Sequence, residues 1–325
     1  MAEKPVKKIA LMKKRSKLTE LVIRMWKEKP LGMVGTVITL IFLLVAVFAP
    51  LLAPYGMNAI HAKHALEGPS AQFWLGTDNL GRDLLSRIIY GARISVIVGL
   101  VATLISTLIS TFLGILSAYI GGKFDLILQR FVDAEMSIPN LLLLMVIISL
   151  IKPGLWQVIF CLGISNGIGN TRMVRSLVIG VKENVYISSA VALGDSTPKV
   201  IFQHILPNIM APIIILFSMN VPFMILMEAS LSFLGLGVPP PEPSWGGMLS
   251  GGARQFMFAD PWMALWPGIA LSLIVYAVNM FGDALRDLLD PRLRGGVGRY
   301  GNIGSKKKEY IKRHPSAPEV NADED

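Results

Sequence analysis

Five stretches of the chain carry no Asp, Glu, Lys or Arg: 30–62, 94–122, 153–171, 200–227 and 261–282. A bilayer core of about 30 Å takes about 20 apolar residues in a helix. The pattern therefore predicts membrane helices near 32–53, 94–120, 154–177, 209–235 and 262–283. A sixth is weaker, because only 136–151 is uncharged. A span over 125–151 includes Arg130, Asp133 and Glu135. Charges in lipid are costly, so these must lie near an interface or face other helices. Lys152-Pro153-Gly154 would then close a tight hairpin to the next span. The expected fold is an all-α integral membrane protein of six transmembrane helices.

Two segments between the spans have helical patterns of their own. After a long outer loop at 54–80, Leu84, Leu85, Ile88 and Ile89 share one face, with Arg82, Asp83 and Arg87 off it. This predicts a short amphipathic helix at the outer interface. The inner loop 178–208 reads as helix–turn–helix. Its helical pattern runs to Leu193, Gly194 supplies an unusual backbone at the end, Asp195 and Ser196 are N-cap types, and Pro198 suits a first turn. An ordered loop of this length is more often functional than a plain connection.

Charge sets the orientation. Residues 1–31 hold ten Lys/Arg against three Glu, and 291–313 hold eight against one. Six spans put both termini on one side, and that side collects 25 of the 31 Lys/Arg. The positive-inside bias places the termini in the cytoplasm. The net charge of +9 is thus explained by topology and anionic lipid, and no nucleic-acid partner is expected. The composition, 53% hydrophobic and 16% charged, excludes an ordinary soluble domain. One Cys excludes a disulfide framework. The organisation expected is a basic cytoplasmic segment at 1–31, a membrane domain at 32–290, and a tail at 291–325 that is basic and then acidic, disordered over 316–325. The long basic N-terminus and long first span do not fit a cleavable signal peptide.

Catalytic chemistry is sparse. Gly121-Gly122-Lys123-Phe124 lacks the upstream Gly and the hydroxyl residue of a phosphate-binding loop. Gly296, Gly298 and Gly301 follow no strand, and their spacing is read as chance. His61 and His64 have metal-like spacing without a third ligand. Cys161 reads as packing. Gly163 and Gly167 permit close helix contact. Glu228 is an intramembrane carboxylate, read here as a hydrogen bond that fixes neighbouring helices, with a functional role as the alternative. Ser106, Thr107, Ser110, Thr111, Ser218 and Asn220, together with Glu228, are candidates to line a translocation path. Interhelix hydrogen bonding is the equal alternative. Nothing suggests the filter of a channel, the inverted repeats of a secondary transporter or the catalytic cluster of a membrane enzyme.

The loop also matches a known pattern. Ser188-Ser189-Ala190, then three residues, then Gly194, then nine, then His204-Ile205-Leu206-Pro207 resembles the E-A-A-x3-G-x9-I-x-L-P motif of ATP-binding-cassette importer permeases. Phe73 to Asp83, Glu228 to Gly237, Pro243-Ser244-Trp245-Gly246 and Gly282 to Asp287 resemble signatures of the dipeptide/oligopeptide/nickel permease family, C-type subunit. The matches run in order over about residues 30 to 292. The resemblance implies half of a translocation path in a prokaryotic inner or plasma membrane. It implies a homologous second permease, two cytoplasmic ATPase subunits holding ATP and Mg, and an extracytoplasmic solute-binding protein, with no cofactor in this chain. Ser188, Ser189, Ala190, Val191, Leu193, Gly194, Asp195, His204, Leu206 and Pro207 would form the coupling surface for an ATPase. The cargo implied is a peptide, with nickel chelates or oligosaccharides as alternatives. Two departures stand out. Ser188-Ser189 replaces Glu-Ala, and Gly167 and Asn170 replace a Trp and a Tyr ahead of the retained Arg172 and Arg175.

Overall fold

A computed structural model describes residues 17–289, which are helical with loops and contain no strand among the described residues. The expected tail, with Gly296, Gly298 and Gly301, lies outside them, as does the start of the basic N-terminal segment. Four helices are long and apolar enough to cross a membrane, and a bent pair makes a fifth candidate.

Helix α1 (Lys17–Glu28) leads into α2 (Pro30–Val47) and the short α3 (Ala49–Leu52). Met25 of α1 is buried near the chain's far end, against Ala284 and Leu288. Lys29 Nζ lies 2.5 Å from Asp287 Oδ2. The first and last membrane helices are thereby clamped together at one end.

Helix α4 is Leu84–Ile120, 37 residues, or about 55 Å at 1.5 Å per residue. The Asp83 carboxylate caps it, accepting from the Ser86 N–H at 2.8 Å and the Ser86 hydroxyl at 2.6 Å. The separate interfacial helix expected here does not exist; it is the outer end of this span. No Pro interrupts the join, and Gly91 stays helical with the Trp245 ring against it, where a Cβ would meet Cδ1 at 3.1 Å. The amphipathic reading is also inverted. Arg87 and Asp83 are buried with Leu84, while Leu85, Ile88 and Ile89 are only half-buried.

Helices α5 (Gly122–Met136) and α6 (Asn140–Ile151) meet at 87°, so the region expected to be one span over 125–151 is broken. Pro139 disfavours helix at the residue before it and fixes the corner. Of the three charges that made this span doubtful, Asp133 and Glu135 face the next helix, while Arg130 is exposed and pairs with Asp133 one turn along its own helix. Asp125 takes a two-pronged ion pair from Arg175, at 2.7 and 2.5 Å. Asp133 pairs with Arg172, and Glu135 accepts from the Ser165 hydroxyl at 2.7 Å.

Lys152, at φ +73, turns the expected hairpin into α7 (Leu155–Lys182). This helix has 28 residues, but Gln157, Asn166, Asn170, Arg172 and Arg175 lower its hydropathy, and it falls outside the four long apolar helices. It packs closely on α4 because of its glycines. A Cβ at Gly163 would lie 2.8 Å from Ile105, and one at Gly167 2.9 Å from Ile109. Helix α8 (Val185–Ala192) follows. Then α9 runs from Thr197 to Phe233, with a π turn at Val200–Ile205 and internal prolines at 207, 212 and 222. The short α10 (Trp245–Leu249) and α11 (Gly251–Phe256) precede α12 (Trp262–Leu289).

The outer loop is folded around Phe73, wholly buried, with the rings of Tyr55, His61 and His64 at 5.3–5.5 Å from it. His64 Nδ1 lies 2.6 Å from Glu67 Oε2. The two histidines thus belong to an aromatic core, and no three metal-ligating side chains cluster among the described residues.

Candidate functional site

The loop at 178–208 is a helix, a glycine turn and a second helix. At the end of α8 the Gly194 N–H donates to the Val191 carbonyl at 3.0 Å and the Asp195 N–H to the Ala190 carbonyl at 3.1 Å. This is the Schellman termination, which needs a left-handed residue, and Gly194 has φ +88. Ser196 is the extended residue ahead of α9, and Pro198 sits in the first turn. Neither Asp195 nor Ser196 makes the side-chain cap bond their types suggest. Instead the Asp195 carboxylate reaches forward to Lys199 Nζ at 2.5 Å and His204 Nε2 at 3.3 Å. The hydrogen bond from Lys199 holds this carboxyl below its ordinary range, with a smaller contribution from His204.

The loop is bonded to the neighbouring ends of α4 and α7. Ile187, Ala190, Val200, Ile205 and Ile209 pack with Ile115, Ala118, Val174 and Val178 of α4 and α7. Lys182 Nζ donates to the carbonyls of Ala118 and Tyr119, at 3.1 and 2.9 Å. What the packing leaves outside is apolar: Leu193 is 86% exposed, Val185 79%, Phe202 67% and Val191 52%. Ala190, expected on the contact surface, is turned inward at 8% exposure, because it lies one turn after Ile187 on the face that packs against α4 and α7, whereas Leu193 stands at the helix end. Ser188 and Ser189 are exposed, but both hydroxyls donate back to the Val185 carbonyl, at 2.8 and 2.9 Å. Pro207 is exposed, while Asp195, His204 and Leu206 are half-buried.

The intramembrane candidates divide. Ser106, Ser110, Ser218 and Glu228 are buried within the chain. Ser110 and Ser218 donate to carbonyls of their own helices, Thr107 and Ile215. Glu228 of α9 accepts from the Ser232 hydroxyl at 2.6 Å and the Ser95 hydroxyl of α4 at 3.4 Å, which makes it a helix-to-helix bond. Thr107, Thr111 and Asn220 are half-buried. Asn220 belongs to a network that composition did not reveal. The Ser106 hydroxyl donates to Asn166 Oδ1 at 2.8 Å, and Asn170 Nδ2 donates to Asn166 Oδ1 at 2.6 Å and to Asn220 Oδ1 at 3.4 Å. The signal available in the sequence was an i, i+4 pair of amides in the middle of a span.

At the opposite end of α4 three separated motifs converge. Trp245 is wholly buried and donates its indole N–H to the Ile88 carbonyl at 3.1 Å. Gly246 lies against α9, where a Cβ would meet the Ala229 carbonyl at 2.3 Å, and a Cβ on Gly237 would collide with Ser232. Asp78 accepts from the N–H groups of Leu80 and Arg82, both at 2.9 Å, and from Arg82 Nε at 2.6 Å. Arg87 Nη1 donates to the Met57 carbonyl at 3.1 Å. Between these pieces lies a cleft of about 510 Å³, bordered by Asp78, Arg82, Ser232 and Glu242.

The family described as binding-protein-dependent transport system inner membrane component matches residues 110–295. The N-terminal TM domain of oligopeptide transport permease C matches residues 17–69. The chain is 41% identical to a dipeptide transport system permease protein of Alkalihalophilus pseudofirmus, over 82% of this chain and 88% of that protein. It is 35% identical to an oligopeptide transport system permease protein of Bacillus subtilis, over 86% and 93%. It is 38% identical to a glutathione transport system permease protein of Pectobacterium atrosepticum, over 78% and 85%.

Proposed function

The chain belongs to the family of binding-protein-dependent transport system inner membrane components, as a permease subunit, and from that premise we propose that it admits short peptides through a path shared with a second, homologous permease. Six spans cross the membrane in this reading, with α5 and α6 as one bent span, α7 as a polar-faced one, and both termini cytoplasmic. Two cytoplasmic ATPase subunits bind and hydrolyse ATP with Mg, and an external solute-binding protein delivers cargo. The peptide cargo rests on relatives whose names specify dipeptides, oligopeptides and glutathione.

One observation carries the coupling role. The inner loop presents Leu193, Val185 and Val191 to water on a segment that is bonded rigidly to α4 and α7. Exposed apolar side chains on an ordered scaffold mark a contact surface. Motion of an ATPase seated there would pass directly into the long membrane helices.

The test is reconstitution of the four kinds of chain in vesicles, with labelled dipeptide, ATP and the solute-binding protein. Uptake should need all of them. ATP-driven uptake of a nickel chelate or an oligosaccharide without any peptide uptake would overturn the cargo. For topology, single cysteines in a Cys161→Ser background should react from outside at position 63 and not at position 193. The opposite labelling would invert the orientation.

A further inference from the structure

The network of Asn166, Asn170 and Asn220 has a remainder. Asn166 Oδ1 accepts twice, from Ser106 and from Asn170, and Asn220 donates its own amide to the Leu216 carbonyl at 2.9 Å. Asn170 gives its donors to Asn166 and Asn220. Two groups are then left without a partner among the described residues: the Asn166 amide N–H and the Asn170 amide oxygen. Both residues are half-buried and sit near the middle of α7. A free amide donor or acceptor facing hydrocarbon is costly, so this face requires water, another chain or a polar cargo. The two residues are one helical turn apart, with Cβ atoms about 5–6 Å from each other and their amides joined by the 2.6 Å hydrogen bond. One offers a donor and the other an acceptor.

That pair is the complement of a peptide's own backbone, which offers a carbonyl and an N–H at neighbouring positions. We propose that Asn166 and Asn170, held in place by Ser106 and Asn220, form a peptide-amide subsite within the translocation path. The Asn166 N–H meets a cargo carbonyl and the Asn170 oxygen meets a cargo N–H. The inference rests on the peptide-importer reading and adds to it the groups that recognise cargo inside the membrane. Because it uses only backbone chemistry, the subsite accepts varied side chains while rejecting a cargo whose peptide nitrogen carries no hydrogen.

The test uses the complete importer in vesicles. Uptake of Ala-Ala is compared with uptake of its analogue methylated on the peptide nitrogen, each at a concentration that saturates the solute-binding protein. The wild-type importer should favour Ala-Ala about ten-fold, the size of one net hydrogen bond. Asn170→Leu should bring that ratio close to one while ATP hydrolysis continues. Asn170→Asp keeps an acceptor and should keep the preference. In parallel, Asn170→Cys in a Cys161→Ser background should react with a charged thiol reagent in the assembled importer, and transported peptide should slow the reaction. An unreactive position 170 means that the partner permease satisfies these amides, and the proposal fails. An unchanged ratio in Asn170→Leu overturns the subsite alone. A wild-type importer that carries no peptide overturns both this inference and the cargo reading beneath it.

Discussion

At the end proposed to face outward Trp245 is wholly buried, and at the end proposed to face inward Leu193 stands 86% exposed. Both belong to segments with strong sequence signatures. The outer signatures interlock: Trp245 fills the space between α4, α9 and α12, Gly246 lets α10 touch the α9 backbone, and Glu228 ties α9 to Ser95 of α4. The inner signature spends only part of its residues on packing and leaves its apolar tip in solvent. A distinctive motif therefore has two physical meanings here. Where its large side chains are buried it braces the fold, and where they are exposed beside a rigid turn it offers a contact.

Substitutions at the two ends should separate these meanings. The largest effect is expected from Trp245→Ala, which empties a fully buried indole site at a cost of about 3–5 kcal/mol. The amount of folded permease recovered from membranes, and its thermal midpoint in detergent, should drop sharply. A normal yield with lost transport would instead make the outer cluster a contact surface.

Gly194→Val comes next. No atom lies within 4 Å of a Cβ there, so the cost is conformational, roughly 1–2 kcal/mol for a left-handed backbone. The permease should insert and pair normally, yet lose uptake and the stimulation of ATP hydrolysis by loaded binding protein. Wild-type uptake in vesicles at equal abundance would show that the turn is not part of coupling.

A smaller and purely interfacial effect is expected for Leu193→Ser. Thermal stability should stay within about 0.5 kcal/mol of the parent, while the apparent affinity for the ATPase falls several-fold in a pull-down titration. Ile205→Ala, buried one step inside the same loop, should do the reverse and destabilise by about 2–5 kcal/mol. Similar behaviour of the two variants would erase the distinction between tip and base.

The weakest effects are electrostatic. Ser188→Glu should change uptake little, since the docking surface relies on apolar side chains. The Asp195 carboxyl is held below its ordinary value of 3.8 by Lys199 and then His204. Its stabilising contribution is therefore complete above that value and is lost as pH falls through the lowered one. In a melting series on the permease, Asp195→Asn should be slightly less stable than the parent near neutrality and equal to it at strongly acid pH. A gap that widens with acid would contradict the sign.

Local pattern determined a good deal by itself. Uncharged runs marked helices that are present at 30–47, 84–120, 197–233 and 262–289. Gly194 followed by Asp195, Ser196 and Pro198 marked a turn whose backbone is left-handed as expected, because glycine alone adopts that conformation without strain. The spacing of the loop and the ordered signatures carried the family. Tertiary structure decided the rest. It joined the outer amphipathic stretch to α4, since a helix ends only where something interrupts it and here Trp245 packs over the one weak residue. It gave Asp133 and Asp125 to Arg172 and Arg175, partners about 39 and 50 residues away in sequence. It turned Ala190 inward and Leu193 outward, a choice set by the surface of α4 and α7 and not by the loop's own residues. It also brought Asn166, Asn170 and Asn220 together. Hydropathy and helical period are properties of neighbours along the chain, whereas burial and hydrogen-bond partnership depend on what other helices place against them.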